Sequence, residues 1–213
     1  MAGLPTTCSS KVRHDHKATD DAAVVERYRQ AGAIIVGKTH THLVAYGIVT
    51  PTTRRQVGRG HIPAVPAAAP CRDGRRARLL VASAPTRAAR SHIPAALCGI
   101  VGLKPSYGRV SRFGVASLSW SLDHVGPMTR TVEDAALMLN VLAGYDPRDP
   151  GSVAAPVPDY TQELNDGVRG LQIGVPSNFY FDAMDADTQR LCETAFQKCW
   201  NRPARRCRRS NCH

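Results

Sequence analysis

The stretch Thr131-Val-Glu-Asp-Ala-Ala-Leu-Met-Leu-Asn-Val-Leu-Ala-Gly144 predicts an amphipathic helix with a defined start and end. Thr131 is a good N-cap, because its hydroxyl can accept a hydrogen bond from a first-turn amide. Glu133 and Asp134 then lie at the positive end of the helix dipole, and Gly144 ends the helix. Apolar residues follow helical spacing at positions 132, 135, 136, 139 and 142. One face of this helix is therefore expected to pack against a core.

Outside this stretch, helices alternate with short apolar strands. Thr19 or Asp20 is placed to cap a helix that runs through Ala31 and stops at Gly32. Apolar runs predict strands at residues 33–36, 100–103 and 171–175. A further helix is expected over residues 185–199, and residues 145–170, rich in Pro, Gly and Asp, read as a long loop. The alternation predicts an α/β fold in which helices cover a mixed β-sheet.

Length and composition limit the class of protein. The chain has 213 residues, enough for one domain or two small ones. It contains no run of about 18 apolar residues that would cross a membrane, and its N-terminus lacks the apolar segment of a secretory signal peptide. Its seven cysteines are odd in number and irregularly spaced, which argues against a disulfide framework. A cytoplasmic protein with no membrane partner is expected.

Two arginine-rich stretches carry the net charge of +11. Residues 54–90 hold nine arginines and one acid, and residues 200–213 hold five arginines and no acid. Both stretches are also rich in Ala, Pro and Cys and show little helical or strand periodicity. Such charge is typical of proteins with anionic partners, but neither stretch has the interleaved aromatic residues of a specific nucleic-acid binder. We therefore expect no specific nucleic-acid partner.

Three sequence blocks resemble the amidase signature family of serine hydrolases. The first is Ala2-Gly-Leu-Pro-Thr-Thr-Cys8, continuing through Ala31-Gly-Ala-Ile-Ile-Val-Gly-Lys-Thr39. The second is Ile93-Pro-Ala-Ala-Leu-Cys-Gly-Ile-Val-Gly-Leu-Lys-Pro-Ser-Tyr-Gly-Arg-Val-Ser111. The third is Ser121-Leu-Asp-His-Val-Gly-Pro-Met-Thr-Arg-Thr-Val-Glu-Asp-Ala-Ala136. Three long blocks in the family's order are far more specific than one short motif.

The resemblance implies a partial amidase-signature domain over residues 1–199, with a mixed β-sheet covered by helices. The family, which includes general amidases and one component of the tRNA-dependent amidotransferases, hydrolyses carbon–nitrogen amide bonds. Its triad is a lysine, a serine on a cis peptide bond and a nucleophilic serine, and the uncharged lysine draws a proton through the bridging serine. The implied substrate is a small-molecule amide, with no cofactor and no metal. Partner subunits are not identified by the sequence.

The resemblance assigns no intact triad to this chain. The family's lysine precedes the first block, so its expected position lies upstream of Met1. Counting forward from Pro63 places the cis-serine position at Pro66, and counting back from Ile93 places the nucleophile at Arg90. Neither side chain can do the chemistry of a serine. Residues 55–91 and the tail 200–213 are therefore interpreted as anomalous, and the chain is expected to be inactive.

A one-base shift of the reading frame accounts for both replacements. The codons GGC GGT TCC AGC GGC GGC TCC encode the family's Gly-Gly-Ser-Ser-Gly-Gly-Ser, and one base later they read Ala64-Val-Pro-Ala-Ala-Ala-Pro70. The later motif Gly-Thr-Asp-Thr-Arg-Gly-Ser-Ile, shifted in the same way, gives Ala84-Pro-Thr-Arg-Ala-Ala-Arg-Ser91. A GC-rich gene read out of frame yields Arg, Ala, Pro and Cys, which also explains the tail after Cys199.

Three hypotheses follow from these observations. The first is a truncated, frame-disrupted amidase relative that has lost catalysis. The second is an active amidase whose sequence here carries frame or gene-start errors. The third is a basic nucleic-acid-binding module that uses the arginine-rich stretches.

Other reactive side chains are given structural interpretations. Ser91 and His92 are adjacent, and adjacent side chains rarely point at each other, so they are not expected to form a catalytic pair. His40 and His42 could share one strand face, but the corresponding family stretch binds no metal. A C-terminal group also lacks the paired-cysteine spacing of a zinc site: Cys199, Cys207, Cys212 and His213.

Four further residues are expected to support the fold. Cys98 follows Ala-Ala-Leu and is predicted to be a buried core thiol. Asp123 resembles a position near the family's active-site core, and we interpret it as structural support. Arg109 and Arg130 are expected to form ion pairs or to anchor loops.

Overall fold

The computed structural model describes residues 1–8, 10–38, 49–50, 65–66, 80–82, 92–166, 172–176, 181–200 and 206–210. The helices in these ranges are α1 (Ala23–Gln30), α2 (His92–Cys98), α3 (Val132–Leu142) and α4 (Ala186–Trp200). The strands are β1 (Val49–Thr50), β2 (Val65–Pro66), β3 (Leu80–Ala82), β4 (Val101–Gly102), β5 (Gly126–Thr129), β6 (Gln172–Pro176) and β7 (Arg206–Ser210). None of the helices described in these ranges is both long and apolar enough to span a membrane.

The described strands form three small sheets. Strand β5 lies between β3 and β4 and is antiparallel to both, β1 and β2 form an antiparallel pair, and β6 and β7 are parallel. Both kinds of pairing occur together with helices, so the α/β class is confirmed. The predicted strands at 100–103 and 171–175 correspond to β4 and β6, and the predicted helix at 185–199 corresponds to α4. The chain divides into two compact units, Met1–Gln162 and Glu163–His213.

Helix α3 forms as its sequence predicts, with one difference on its buried face. The hydroxyl of Thr131 accepts a hydrogen bond from the amide of Asp134 at 3.0 Å, which caps the first turn. The apolar stripe was expected to include Val132, but this residue is 60% exposed. It is the first residue of the helix, and Met138 belongs to the buried face instead. The positions buried on α3 are three or four residues apart and so share one side.

Helix α1 starts later than predicted, and neither Thr19 nor Asp20 caps it. The N-cap is Ala22, which makes no side-chain cap bond. The amide of Ala23 instead donates to the backbone oxygen of Phe113 at 3.1 Å, so a distant loop satisfies the helix end. The hydroxyl of Thr19 donates to the Asp20 carboxylate. The start of this helix is therefore set by a tertiary contact.

The end of α1 is confirmed at the predicted glycine. Gly32 has a φ of +77°, a conformation that glycine adopts without steric cost. Its amide donates to the oxygen of Arg29, and the amide of Ala33 donates to the oxygen of Tyr28. This pair of bonds is a Schellman motif, which satisfies carbonyl groups in the last turn.

The predicted strand at residues 33–36 is wrong. This segment has no regular secondary structure, and Ile34 and Val36 are 91% and 98% exposed. Ala33 and Ile35 pack against the main core cluster, so alternate residues do face opposite sides. None of the strands in the described ranges pairs with the segment, and an apolar run without a pairing partner does not become a strand.

The arginine-rich stretches contain strands that their composition did not predict. β2 and β3 lie within residues 55–91, and β7 lies within residues 200–213. The other residues of 55–91 and 200–213, apart from Trp200 in α4, are outside the described part of the chain. Backbone pairing with β1, β5 and β6 produces these strands, since their own side-chain patterns give no alternation.

The main hydrophobic core joins α1, α3 and the loops that follow β4 and α3. Tyr28 of α1 and Leu142 of α3 are buried together with Val110 and Val125. The guanidinium of Arg27 donates to the backbone oxygens of Leu142, Gly144 and Tyr145 at the end of α3. Residues 145–166 contain turns and no helix or strand, which confirms the predicted loop over the described part of 145–170.

Candidate active site

The structure describes one of the two predicted serine positions. Pro66 lies in β2, where it is registered with Val49 of β1. Arg90 lies outside the described residues, as do Ser91, His40 and His42. His92 begins α2 and is exposed. The described residues therefore place Pro66 and His92 in secondary structure and leave the predicted nucleophile position undescribed.

Two lysines of the described chain are already engaged as donors. The ammonium of Lys38 donates to the backbone oxygen of Pro5 at 2.9 Å and to the hydroxyl of Thr6 at 2.8 Å. Burial lowers the pKa of Lys38. The ammonium of Lys104 lies 3.3 Å from the Nε2 atom of His124. In neither contact does the lysine hydrogen-bond to a serine, as the lysine of the family's triad would.

Cysteine and metal candidates show no assembled site within the described ranges. There, no group of three or more His, Cys, Asp or Glu side chains is arranged to hold a metal ion. Cys98 in α2 is a free thiol that is partly buried, where full burial was predicted. Burial raises the pKa of its thiol, which makes it a poor nucleophile at neutral pH. Cys212 and His213 fall outside the described residues.

Asp123 organises the loop that precedes β5. Its Oδ2 atom accepts hydrogen bonds from the hydroxyl of Ser117 at 2.9 Å and from the amides of Leu118 and Ser119 at 2.9 and 3.0 Å. Asp123 is 3% exposed, and its Oδ1 atom is buried with no hydrogen-bond partner among the described residues. A carboxylate that binds two successive amides and a hydroxyl fixes a loop, which agrees with the structural role expected for Asp123.

Arg112 and Asp149 form the most buried ion pair of the described chain. The guanidinium donates through Nη2 to Oδ1 at 2.8 Å and through Nε to Oδ2 at 3.1 Å, a bidentate arrangement. The two side chains are only 9% and 4% exposed. Burial by itself would raise the pKa of Asp149, but hydrogen bonds from Arg112 and the amide of Gly151 outweigh it and lower that pKa.

Aromatic rings and a glycine enclose this ion pair. The guanidinium carbon of Arg112 lies 4.8 Å from the ring centroid of Tyr107 and 5.6 Å from that of Trp120. These are cation–π distances. A Cβ atom at Gly151 would overlap the Arg112 guanidinium, so a larger residue at this position would displace that guanidinium.

A second arginine connects α1 to the long loop. Arg148 donates to Asp146 and to both carboxylate oxygens of Glu26, with Nη2 to Oε2 at 2.6 Å. The hydroxyl of Ser111 also donates to Asp146 at 2.8 Å. The hydrogen bond from Arg148 is the main cause that lowers the pKa of Asp146 to about 2. The same arginine lowers the pKa of Glu26.

A cavity of about 170 Å³ lies beside these two arginines. Trp120, Asp123 and His124 line it together with Arg112 and Arg148. The Nδ1 atom of His124 lies 2.7 Å from the backbone oxygen of Leu122, and its Nε2 atom faces Lys104. Both ring nitrogens are thus occupied, and Ser117 donates to Asp123 directly. Among the described residues that line the cavity, no serine is hydrogen-bonded to a histidine or lysine base of the kind that activates a nucleophile.

Of the two remaining arginine predictions, the one for Arg109 is tested by described contacts, and the one for Arg130 stays a prediction. Arg109 donates to the backbone oxygens of Ala155 and Pro156 at 3.3 and 2.8 Å, so it anchors the long loop as expected. Arg130 is exposed. Sequence reasoning missed Arg112, Arg148 and Asp149. The alternating charges of Asp146, Arg148 and Asp149 in the loop are the one sequence feature that could have indicated this network.

Comparison with known proteins agrees with this partial fold. The sequence profile of the Amidase family matches residues 1–67 and 91–206. An amidase of Pseudomonas putida is 45% identical over 199 residues, which cover 93% of this chain and 42% of that protein. The A subunit of glutamyl-tRNA(Gln) amidotransferase from Carboxydothermus hydrogenoformans is 40% identical over 201 residues, which cover 92% of this chain and 41% of that protein.

A solved structure shares the backbone arrangement. The crystal structure of the A subunit of glutamyl-tRNA(Gln) amidotransferase from Thermotoga maritima matches with a TM-score of 0.79 at 28% identity, covering 99% of this chain and 47% of that one. The chain thus spans less than half the length of each of these relatives. Because the family profile matches most of its residues and the fold agrees, the chain belongs to the Amidase family.

Proposed function

We propose that this chain is a relative of enzymes that hydrolyse carbon–nitrogen amide bonds and that it does not itself catalyse the reaction. The observation that carries the proposal is the pair of residues at the predicted serine positions, Pro66 and Arg90. Proline has no side-chain proton to relay. A guanidinium stays protonated in proteins, so it cannot act as a nucleophile.

The interrupted family match supports a frame disruption as the cause. The family match is interrupted at residues 68–90, which lie inside the arginine-rich stretch 55–91 and include Arg90, whereas residues 55–67, with Pro66, lie within the match. A single shift of reading frame converts both serine motifs into the residues found there. It also accounts for the local excess of Arg, Ala, Pro and Cys without a functional reason for the charge.

Two of the described lysines support the same conclusion. Lys38 binds the Pro5 and Thr6 region, and Lys104 faces His124, so each already has its own hydrogen-bond partners. A replacement triad would need a serine within hydrogen-bond reach of an uncharged lysine. Ser117, the serine that lines the cavity, donates to a carboxylate instead.

An active amidase with errors in the recorded reading frame is the competing hypothesis. Under that hypothesis the protein acts on amides, as the name of the Pseudomonas putida relative suggests, or works as a subunit of a glutamyl-tRNA(Gln) amidotransferase, as the names of other relatives suggest. A cytoplasmic location stays a prediction under both hypotheses.

Activity of the purified chain tests the proposal directly. The chain is incubated with benzamide, acetamide and glutamine, and released ammonia is measured beside the Pseudomonas putida amidase as a positive control. A fluorophosphonate probe, which labels activated serines, is applied to both proteins. We expect no ammonia above the buffer rate and no labelling of this chain. Ammonia release that scales with protein concentration would overturn the proposal.

Resequencing the gene and its flanks separates the two hypotheses. A confirmed shift over codons 64–91 supports the inactive product. A clean read that restores Gly-Gly-Ser-Ser-Gly-Gly-Ser, the later Gly-Ser and an upstream lysine codon in one frame supports the active enzyme.

A further inference from the structure

His124 connects two loops that meet beside the cavity. One loop follows β4 and contains Lys104 and Tyr107, and the other, residues 117–124, precedes β5. The Nε2 atom of His124 lies 3.3 Å from the ammonium of Lys104. Its ring centroid lies 5.6 Å from that of Tyr107, in an edge-to-face arrangement. The imidazole therefore contacts two residues of the loop that follows β4, and neither the amidase fold nor the proposed loss of catalysis assigns a role to these contacts.

The partners of the two ring nitrogens determine where the imidazole carries its proton. Nδ1 lies 2.7 Å from the backbone oxygen of Leu122, which can only accept, so Nδ1 donates. The ammonium of Lys104 can only donate, so Nε2 accepts from it and carries no proton. His124 thus makes both contacts only as the neutral imidazole with its proton on Nδ1.

Protonation of the imidazole breaks one of these contacts and keeps the other. A proton on Nε2 removes the lone pair that accepts from Lys104, and it places a second cation against the ammonium. The hydrogen bond to Leu122 is kept, because Nδ1 still donates. Acid therefore separates His124 from the loop that follows β4 and leaves its contact within its own loop intact.

The other charged groups that line the cavity are engaged elsewhere. Arg112 and Asp149 form the bidentate pair, and Arg148 donates to the carboxylates of Asp146 and Glu26. The Asp123 carboxylate accepts from the hydroxyl and amides of its own loop. Among the described residues, the Lys104 ammonium is thus the charged group hydrogen-bonded to the imidazole.

We propose that the contact between Lys104 and His124 is an acid-sensitive latch, which opens when His124 is protonated and loosens residues 117–124 at the wall of the cavity. Histidine is the side chain that usually gains its charge between about pH 8 and pH 5. Trp120 and His124 both line the cavity, and the hydroxyl of Tyr107 donates to the backbone oxygen of Trp120 at 3.3 Å. The inference is independent of the proposed function, since it requires no catalytic group.

Hydrogen exchange of the full chain tests the latch. The loop contains amides that are hydrogen-bonded within it, those of Leu118, Ser119, Leu122 and Asp123. Their protection, corrected for the intrinsic effect of pH, is measured by mass spectrometry at about pH 7.5 and about pH 5.5, on either side of the usual histidine titration. We expect protection to fall about fivefold at the lower pH, which corresponds to the loss of one typical hydrogen bond. Equal protection at the two pH values would overturn the inference.

Three variants assign the effect to this contact. His124→Gln keeps a side-chain acceptor for Lys104 but cannot be protonated, so its protection should be the same at both pH values. Lys104→Met removes the second cation, so the fall should be smaller than about twofold. His14→Gln is the matched control, because it removes another histidine whose side chain is 80% exposed, and it should keep the fall of the wild type. A fall in His124→Gln equal to that of the wild type, or the loss of the fall in His14→Gln, would overturn the inference.

Nitrogen NMR of the wild type, labelled with ¹⁵N-histidine, provides a test that needs no variant. At about pH 7.5 the spectrum should show His124 with its proton on Nδ1 and with Nε2 unprotonated. A proton on Nε2 at that pH would overturn the inference, because Nε2 could not then accept from Lys104.

Discussion

The long-loop region of residues 106–160 and helix α4 each contain an Arg–Asp ion pair of similar length. Arg112 and Asp149 lie 2.8 Å apart, and Arg190 and Asp187 lie 3.1 Å apart. Their surroundings differ, because the first pair is 9% and 4% exposed and the second is 75% and 83% exposed. The same kind of ion pair is thus buried in the first region and exposed to water in α4.

Two carboxylates of the first region are buried, whereas two apolar side chains of α4 are exposed. In α4, Leu191 is 66% exposed and Phe196 is 37% exposed. In the loop region, Asp146 and Asp149 are 4% and 5% exposed. The loop of residues 145–166, which contains no helix or strand, therefore buries charged side chains, whereas a helix of 15 residues leaves apolar side chains exposed. Tertiary contacts, rather than secondary structure, decide which region is stable.

Breaking the buried ion pair should give the largest effect. Asp149→Ala leaves the Arg112 guanidinium buried without its carboxylate, and removing one partner of a buried pair costs about 3–5 kcal/mol. We expect the free energy of unfolding of the unit Met1–Gln162 to fall by that amount. Urea denaturation followed by tryptophan fluorescence measures the change, because Trp120 lies against Arg112.

The exposed pair of α4 provides the matched control. Asp187→Ala removes the partner of Arg190, and an exposed pair contributes at most about 0.5 kcal/mol at this spacing. If both variants lowered the urea midpoint equally, the contrast between the two regions would be wrong.

The loop region should be less stable in acid than at neutral pH. The pKa of Asp146 is lowered to about 2 in the folded chain, from an ordinary 3.8, so its stabilising contribution is complete above about pH 4. That contribution is lost as the pH falls from about 4 toward 2. The Asp149 and Glu26 pKa values shift in the same direction. We expect a smaller effect than that of Asp149→Ala, seen as a lower urea midpoint at pH 3 than at pH 6.

A variant assigns this pH dependence to its carboxylate. Asp146→Asn cannot ionise, so its stability should vary less between pH 6 and pH 3 than that of the wild type. An unchanged pH dependence in this variant would show that other carboxylates cause the acid sensitivity.

Truncating an exposed apolar residue should give the smallest effect. Leu191→Ala keeps a good helix former in α4 and removes a side chain that is already mostly in water. The expected change in the free energy of unfolding is within about 0.5 kcal/mol. A loss above about 1 kcal/mol, measured by thermal and urea unfolding, would mean that this side chain is packed in solution.

Locally encoded features of the fold were predictable from sequence. The cap at Thr131, the end of α1 at Gly32 and the bounds of α4 depend on neighbouring residues, and they were predicted to within two residues. The start of α1 was not, because it depends on an amide bond to Phe113, far away in the chain. The segment 33–36 was misjudged for a similar reason, since a strand needs a partner that its own sequence does not reveal.

The candidate site was predictable only as a set of motif positions. Pro66 and Arg90 followed from counting along family motifs, which needs no coordinates. The Arg112–Asp149 pair lies 37 residues apart in the sequence and follows no periodic pattern, so no rule of spacing could join them. Burial of a charged pair is decided by the surrounding packing, here Tyr107, Trp120 and Gly151.

The contact between Arg27 and the end of α3 makes two distant helices depend on each other. Arg27 lies 115 residues before Leu142, whose backbone oxygen it binds. The last carbonyls of α3 gain this donor only after a very large loop has closed, and closing such loops slows folding. The end of α3 is not complete until α1 has packed against it, so α1 and α3 are expected to unfold as one cooperative unit.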